Sequence, residues 1–158
     1  MKIFKRILEL KDYLKEVEGP NKKLVVTSGG FDPLHVGHLR CILDCSNLAD
    51  IVIVVVNGDG FLTRKKGKPF MNLVERMEII SGIRGVDYVV PWDDGSQTVT
   101  GALEILKPDI FAKGGDRDSS SNVPEFDMCQ KIKCEVVFNV GGHKIQSSSS
   151  LVENFINH

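Results

Sequence analysis

The stretch Gly29-Gly30-Phe31-Asp32-Pro33-Leu34-His35-Val36-Gly37-His38 lies between a short apolar run and an amphipathic one. The run Leu24–Val26 before it predicts a buried strand, and the residues from 36 onward predict a helix. Free backbone N–H groups and the positive end of the helix dipole make such a turn an anion site. Glycines allow a ligand to approach the backbone, and imidazoles can donate hydrogen bonds to phosphate oxygens. The spacing therefore favours a phosphate-binding turn over a plain glycine turn with two surface histidines.

Strands and helices alternate along the rest of the chain. The predicted strands are 24–27, 51–56, 88–90, 109–112 and 135–138, and the helices between and after them are 36–48, 73–83, 98–106, 124–132 and 149–156. This alternation predicts an α/β fold, a Rossmann-like doubly wound parallel sheet with helices on both faces. Ligands bind such sheets beyond the carboxyl ends of the strands, which is where the opening stretch lies.

An additional amphipathic helix is predicted before the first strand. Apolar residues recur among Lys and Glu over residues 3–18, and Gly19-Pro20-Asn21 ends the pattern. A chain of 158 residues is most simply one domain. We therefore expect a single domain over 21–158 with an extra N-terminal helix over 1–20, packed on the domain or on a second subunit.

The composition excludes several classes of partner. A net charge of −1 gives no general attraction to nucleic acid or to an anionic membrane. The longest apolar run, Ile51–Val56, is too short to span a bilayer, and the N-terminus lacks the apolar core of a signal peptide. The four cysteines form no C-x-x-C pair, which predicts reduced thiols in a cytoplasmic protein.

The opening stretch resembles the G-x-F-D-x-x-H-x-G-H signature of the cytidylyltransferase-like nucleotidyltransferases, and the resemblance extends over roughly residues 24–156. It implies transfer of a nucleoside monophosphate from a nucleoside triphosphate to a small phosphorylated acceptor, with release of pyrophosphate. It implies that His35 and His38 stabilise charge at the α-phosphate. It implies a homodimer and a nucleotide site shaped by Gly29, Gly30, Phe31, Asp32 and Gly37.

A basic segment, Arg64-Lys65-Lys66-Gly67-Lys68-Pro69, follows the second strand. A basic loop containing glycine can fold over a polyphosphate, but a solvated charge run fits the composition equally well. Residues 57–76 resemble the same stretch of glycerol-3-phosphate cytidylyltransferases without a gap. Lys65 falls on a lysine of that family, which implies a catalytic role for it. Gly67 falls on a second lysine and departs from the pattern, and Lys68 beside it is expected to compensate by binding phosphate.

Three further residues are candidates for substrate binding: Asp59, Arg76 and Trp92. Asp59 lies at the end of the second strand, and Trp92, after the third, either lines the acceptor pocket or packs in the interior. The resemblance implies that Arg76 supports the site and that Arg84 lies at a subunit interface. Ordinary surface arginines are the alternative.

Two more segments are predicted to bind the nucleotide. Lys113-Gly114-Gly115-Asp116 follows the fourth strand, where the glycines permit close approach to a base or simply form a turn. Ser147, Ser148 and Ser149 lead into the last helix, where hydroxyl and N–H groups bind phosphate or only cap the helix. The first segment is similar to that of the heptose-1-phosphate adenylyltransferase domain, and the serines are similar to the family's Gly-x-Ser-Thr-Thr.

The identity of the nucleotide stays open. The Lys113–Asp116 segment implies ATP, whereas the resemblance over 57–76 implies CTP, to which we incline because small members of the superfamily often use it. Mg²⁺ is expected to enter with the triphosphate, since the sequence contains no convincing cluster of metal ligands. A non-catalytic nucleotide-binding module is the alternative from another class. A class I aminoacyl-tRNA synthetase shares the histidine signature, but the net charge does not favour a tRNA partner.

Overall fold

The computed structural model describes residues 2–115, 123–142 and 146–157. Its centre is a sheet of five parallel strands, β1 (Leu24–Gly29), β2 (Ile51–Asn57), β3 (Tyr88–Trp92), β4 (Ile110–Ala112) and β5 (Glu135–Val137). The order across the sheet is β3-β2-β1-β4-β5. The predicted α/β fold with a parallel Rossmann-like sheet is confirmed.

Helices connect the strands and cover the sheet. They are α1 (Ile7–Tyr13), α2 (Val36–Cys45), α3 (Asp59–Lys66), α4 (Leu73–Ser81), α5 (Thr100–Leu106), α6 (Phe126–Lys131) and α7 (Ser148–Ile156). One π-helical turn, Leu14–Glu18, continues α1. None of the helices in the described part of the chain has the length and apolar composition of a membrane-spanning segment.

The N-terminal helix is shorter than the sequence pattern predicts, because it begins at Ile7 and not at residue 3. Residues 2–4 run beside β3 instead: the Phe4 N–H donates to the Val89 carbonyl (2.9 Å), and the Val89 N–H donates to the Lys2 carbonyl (2.7 Å). Ile3 and Phe4 pack against opposite faces of the sheet, as neighbouring residues of an extended chain do. If this segment were helical, Ile3 and Phe4 would lie close together on the helix surface and could not pack against opposite faces of the sheet.

Two apolar cores flank the sheet, one on each face. The first packs α1, α5 and α6 against strand residues that include Val26 and Ile53. The second packs α2 and α4 against the alternate residues, among them Val25 and Val52. Every residue of β2 is buried, which explains why that strand is continuously apolar over Ile51–Val56.

The segment expected to be a basic loop is partly helical. Arg64, Lys65 and Lys66 form the last turn of α3, and the helix ends at Gly67 with φ +93°. Asp59 in the first turn and three cations in the last turn complement the helix dipole, which favours this conformation. Only Phe61 and Leu62 of the helix are buried, so its apolar pattern is too short to reveal a helix in the sequence.

The strand order creates a crevice at β1. The chain leaves β1 for β2 on one side and later returns from β3 to β4 on the other side. The connections therefore diverge from β1, and the carboxyl ends of β1 and β4 are left uncovered between them.

Candidate active site

A cavity of about 580 Å³ lies at the carboxyl ends of β1 and β4. The ends of these strands form its floor, and the first turn of α2, the last turn of α3 and the start of α7 contribute to its walls. Four separate parts of the sequence thus meet at the point where the strand order reverses, as expected for a ligand site in this fold.

His35 and His38 are held by hydrogen bonds at the start of α2. The Nδ1 atom of His35 accepts from the N–H groups of Gly37 (3.0 Å) and His38 (3.4 Å), so His35 caps the helix. The Nδ1 atom of His38 accepts in turn from the His35 N–H (3.3 Å). Because both Nδ1 atoms accept, the network assigns the proton of each neutral ring to Nε2. Each ring therefore carries its N–H donor at Nε2, and both histidines line the cavity.

Gly37 is required by the close packing of this turn. A Cβ atom at residue 37 would lie 2.9 Å from Cε1 of the His35 ring. The His35 and His38 rings are stacked with centroids 3.7 Å apart, and Phe31 packs edge-on against His38 at 5.0 Å. Any larger residue at position 37 would displace the capping ring.

Asp32 fastens the segment after α3 to the end of β1. Its carboxylate accepts from the N–H groups of Phe70 and Met71, each at 2.6 Å, and pairs with Lys66 Nζ at 2.7 Å. Burial opposes ionisation, but the hydrogen bonds from Lys66, Phe70 and Met71 outweigh it and lower the pKa of Asp32. Asp32 lines the cavity, yet its carboxylate serves this internal network.

Arg76, a candidate for substrate binding that the resemblance implies to support the site, is a buried clamp. The residue is 1% exposed, and its guanidinium donates to the carbonyls of Gly30 (2.9 Å), Asn57 (2.6 Å) and Met71 (3.0 Å). It also pairs with Asp59 at 2.7 Å, which places Asp59 beside the clamp. Arg76 thus connects the carboxyl ends of β1 and β2 through hydrogen bonds to their carbonyls. It does not line the cavity.

The start of α7 is attached to the histidine motif. The Ser148 hydroxyl donates to the Pro33 carbonyl at 2.7 Å, and the Ser147 hydroxyl caps the helix by accepting from the Ser150 N–H at 3.0 Å. Ser147, Ser148 and Ser149 all line the cavity. Ser147 thus caps the helix and also lines the cavity, and phosphate binding by these serines stays a prediction.

The model of one protein family matches most of this chain, over residues 26–154, and it is described as cytidylyltransferase-like. The chain belongs to the cytidylyltransferase-like family. The resemblance inferred from the histidine motif is therefore confirmed. The matched range includes every strand of the sheet except the first residues of β1.

Curated relatives of this cytidylyltransferase-like chain include two proteins named bifunctional protein HldE. The one from Haemophilus influenzae (strain PittEE) is 41% identical over 111 residues, which are 68% of this chain and 23% of that protein. The one from Hahella chejuensis is 38% identical over 110 residues, again 68% and 23%. The chain thus spans about a quarter of the length of these relatives.

Two solved structures share the fold of this cytidylyltransferase-like chain. A lipopolysaccharide core biosynthesis protein from Thermoplasma volcanium GSS1 superposes with a TM-score of 0.63 at 24% identity, covering 75% of this chain and 96% of that one. Pantoate-beta-alanine ligase from Francisella tularensis superposes with a TM-score of 0.66 at 14% identity, covering 96% and 73%. At these identities the likeness concerns the fold.

Most of the residues predicted for the site of this cytidylyltransferase-like chain come together around one cavity. The lining includes His35, His38, Lys65, Gly29, Gly30, Phe31, Asp32, Gly37, Lys113, Gly114, Gly115, Ser147, Ser148 and Ser149. Asp116, the remaining residue of the predicted Lys113–Asp116 segment, lies outside the described residues. Lys113 also lies over the Phe111 ring, with Nζ 4.9 Å from the centroid.

Four predicted site residues do not line the cavity: Lys68, Asp59, Arg76 and Trp92. Trp92 packs against α5, where a Cβ atom at Gly101 would lie 2.5 Å from the indole. Lys68 falls beyond the end of α3, because the basic segment is helical only as far as Lys66. Of this basic segment, Lys66 and not Lys68 lines the cavity beside Lys65, and Lys66 is already paired with Asp32.

Several lining residues were missed in the sequence, notably Arg40, Gln97, Glu125 and Gly141. The pair Gly141-Gly142 follows the last strand and could have been recognised by the same rule that singled out Lys113–Asp116. Gln97 and Glu125 carry no such signal, because only tertiary contacts position them: Gln97 is hydrogen-bonded to Arg64 and Phe61 of α3, and Glu125 to Val99 at the start of α5. Arg40 belongs to α2 and extends the positive charge of that helix start.

Proposed function

We propose that this protein is a nucleotidyltransferase. It joins the nucleoside monophosphate of a nucleoside triphosphate to the phosphate of a small sugar or polyol phosphate and releases pyrophosphate. The observation that carries the proposal is the pair of Nε2–H donors of His35 and His38 at the start of α2, on the wall of a cavity that also receives Lys65 and Ser148. Membership of the cytidylyltransferase-like family supports it.

The chemistry requires no covalent enzyme intermediate. An oxygen of the acceptor phosphate attacks the α-phosphorus, the new P–O bond forms, and the bond to the bridging oxygen of pyrophosphate breaks. Catalysis is then positioning together with stabilisation of charge on the transferring phosphoryl group. His35 and His38 donate to the α-phosphate oxygens, and the dipole of α2 adds positive potential at the same place.

Other cations and hydroxyls would hold the rest of the triphosphate. Lys65 lines the cavity and makes no ion pair within the described residues, so its charge is available for the β- and γ-phosphates. Lys66 is partly neutralised by Asp32 and contributes less. The N–H groups of the first turn of α7 supply further donors for phosphate oxygens.

Mg²⁺ would enter with the triphosphate, whose charge it neutralises. Within residues 2–115, 123–142 and 146–157, no three His, Cys, Asp or Glu side chains are arranged to hold a metal ion. Asp32, the acidic residue of the motif, already accepts hydrogen bonds with both oxygens. The triphosphate oxygens are thus the natural ligands for the ion.

The test is pyrophosphate release with ATP, CTP, GTP and UTP, each paired with a panel of phosphorylated sugars and polyols in the presence of Mg²⁺. Turnover with one pair names both substrates. Resemblance to heptose-1-phosphate adenylyltransferases favours ATP with a sugar phosphate, and resemblance to glycerol-3-phosphate cytidylyltransferases favours CTP with a polyol phosphate. Tight triphosphate binding without turnover on the whole panel would favour a non-catalytic binding module instead.

The proposal includes a homodimer in the cytoplasm. Phe70 (66% exposed) and Val74 (69% exposed) leave apolar surface uncovered at the start of α4, which supports a second copy as partner. The four cysteines are buried free thiols, as in proteins of reducing compartments. Analytical ultracentrifugation of wild type and of Val74→Glu tests the dimer: wild type should sediment as a dimer and the variant as a monomer.

A further inference from the structure

The carboxylate of Glu125 has one oxygen that the fold does not use. Glu125 lies directly before α6 and is 6% exposed. Its Oε2 atom accepts from the Val99 N–H at 3.0 Å and so satisfies a donor at the start of α5. Its Oε1 atom is shielded from bulk water and has no hydrogen-bond partner in the described part of the chain.

A buried carboxylate oxygen without a hydrogen-bond donor destabilises the folded protein. A buried polar atom without a partner forfeits its hydration, and the cost is larger for an ionised group. The contact with Val99 needs only one acceptor, which a glutamine would provide equally well. A second carboxylate oxygen in the same place is therefore unexplained by the packing of α5 and α6.

The position of Glu125 indicates what supplies the missing donor. Glu125, Gln97 and Thr98 line the same cavity as the histidines. They belong to the side of the sheet covered by α5 and α6, whereas His38 and α2 belong to the other side. A carboxylate repels phosphate groups, so the part of a bound substrate that faces Glu125 is a part without phosphate.

We propose that Oε1 of Glu125 accepts a hydrogen bond from a hydroxyl or amino group on the non-phosphate part of a substrate in the cavity, and that Glu125 thereby selects substrates that carry such a donor. The inference rests on the proposed nucleotidyltransferase function. Glu125 is then a specificity-determining residue. A site built around a fixed acceptor rejects a ligand that lacks the donor, because the buried oxygen is again left unpaired.

The test compares wild type with Glu125→Gln on substrates with and without each donor. The glutamine amide oxygen can keep the Val99 contact, while its NH₂ group replaces the free acceptor. The analogues are UTP against CTP or purine riboside triphosphate against ATP on the nucleotide side, and deoxy derivatives on the acceptor side. In wild type the analogue that lacks the relevant donor should lose about tenfold or more in kcat/KM. In Glu125→Gln that loss should shrink to less than about threefold, since the acceptor is gone.

Glu104→Gln is the matched control, because Glu104 is exposed on α5 and does not line the cavity. It should keep the wild-type ratios. Glu125→Asp, which withdraws the carboxylate by one methylene, is measured in parallel in case the glutamine variant does not fold. It too should reduce the discrimination. Whether the nucleotide or the acceptor analogue shows the effect identifies the substrate that Glu125 contacts.

An unchanged penalty in the folded Glu125 variants, for every analogue on both sides, would overturn the inference and leave Glu125 as a cap of α5 only. Failure of the proposed function looks different, because wild type itself would then turn over no pair. In that case the same comparison is made with dissociation constants for the nucleotide analogues and the acceptor analogues, measured by calorimetry. Equal discrimination by wild type and Glu125→Gln in binding would again overturn the inference.

Discussion

His35 and His38 hold each other through reciprocal hydrogen bonds: each ring accepts at Nδ1 from the backbone N–H of the other residue, and the rings stack at 3.7 Å. Under the proposed function His35 has two roles, the helix cap that it forms through Nδ1 and donation to the substrate through Nε2. A substitution can separate these roles.

Replacing His35 by Asn should remove activity while preserving stability. Asparagine is a good N-cap and keeps an acceptor for the N–H groups of α2, but it offers no donor where Nε2 was. We expect kcat/KM for pyrophosphate release to fall by about 100-fold or more, the typical loss of a donor to a developing negative charge. His35→Ala should show the same loss and in addition lower the free energy of unfolding by about 1 kcal/mol. Near-normal turnover of His35→Asn would exclude His35 as the donor.

Replacing Arg76 by Met should destabilise the whole domain. The substitution leaves the carbonyls of Gly30 and Asn57 without their buried donor. The expected decrease in the free energy of unfolding is about 3 kcal/mol, measured by urea denaturation. Arg6→Met is the control, since Arg6 is exposed and its side chain makes no capping hydrogen bond, and it should change the value by less than about 0.5 kcal/mol. Equal stability of the two variants would contradict the clamp.

Because of Asp32, the free energy of unfolding should depend on pH in the acidic range. Its pKa is lower in the folded protein than the usual value of about 3.9, because the hydrogen bonds from Lys66, Phe70 and Met71 exceed the opposing effect of burial. The stabilisation is therefore complete above about pH 4 and is lost as the pH falls through the lower, folded-state pKa. Asp32→Asn should be less stable than wild type at pH 7, and the difference should narrow below pH 4. Urea denaturation from pH 7 to below pH 4 measures this difference in the free energy of unfolding, and Asp12→Asn, at an exposed position, is the control. If the difference between wild type and Asp32→Asn does not change with pH, the lowered pKa of Asp32 is refuted.

Gly141 and Gly142 offer a matched pair of alanine substitutions. Both have positive φ, +85° and +96°, so both substitutions carry a similar backbone strain of about 1 kcal/mol. At Gly141 the new Cβ would also lie 2.5 Å from the Cys41 backbone nitrogen, whereas at Gly142 it meets nothing within 4 Å. Gly141→Ala should therefore push the segment before α7 away from α2 and raise the KM for the triphosphate several-fold beyond the effect of Gly142→Ala. Identical kinetics of the two variants would show that the approach to α2 is not needed.

The fold was predictable because its buried strands are short apolar runs, whereas most of its helices are longer and amphipathic. The period of the apolar residues and the length of each segment therefore distinguish strands from helices in the sequence. The glycine and histidine positions of the site were predictable for a related reason, since turns at the carboxyl ends of parallel strands carry the ligand contacts. The internal hydrogen bonds of Arg76 and Asp32 could not be predicted, because a charged residue with buried partners looks the same in the sequence as one that faces a ligand. Glu125 and Gln97 were missed because only tertiary contacts bring them to the cavity, with the start of α5 for Glu125 and with α3 for Gln97.

Because β1 lies at the centre of the sheet, the histidine turn that follows it should unfold only when the whole domain unfolds. Its residues pair with β2 over the whole strand and with β4 at Val25 and Val26, and both of its faces are covered by core. Amide protons in such a strand exchange with solvent chiefly through global opening of the molecule. The anchor of the histidine turn is thus among the last parts to open, and fraying of the chain ends leaves it in place. Catalytic activity should then be proportional to the fraction of folded molecules and should not change with local unfolding elsewhere in the chain.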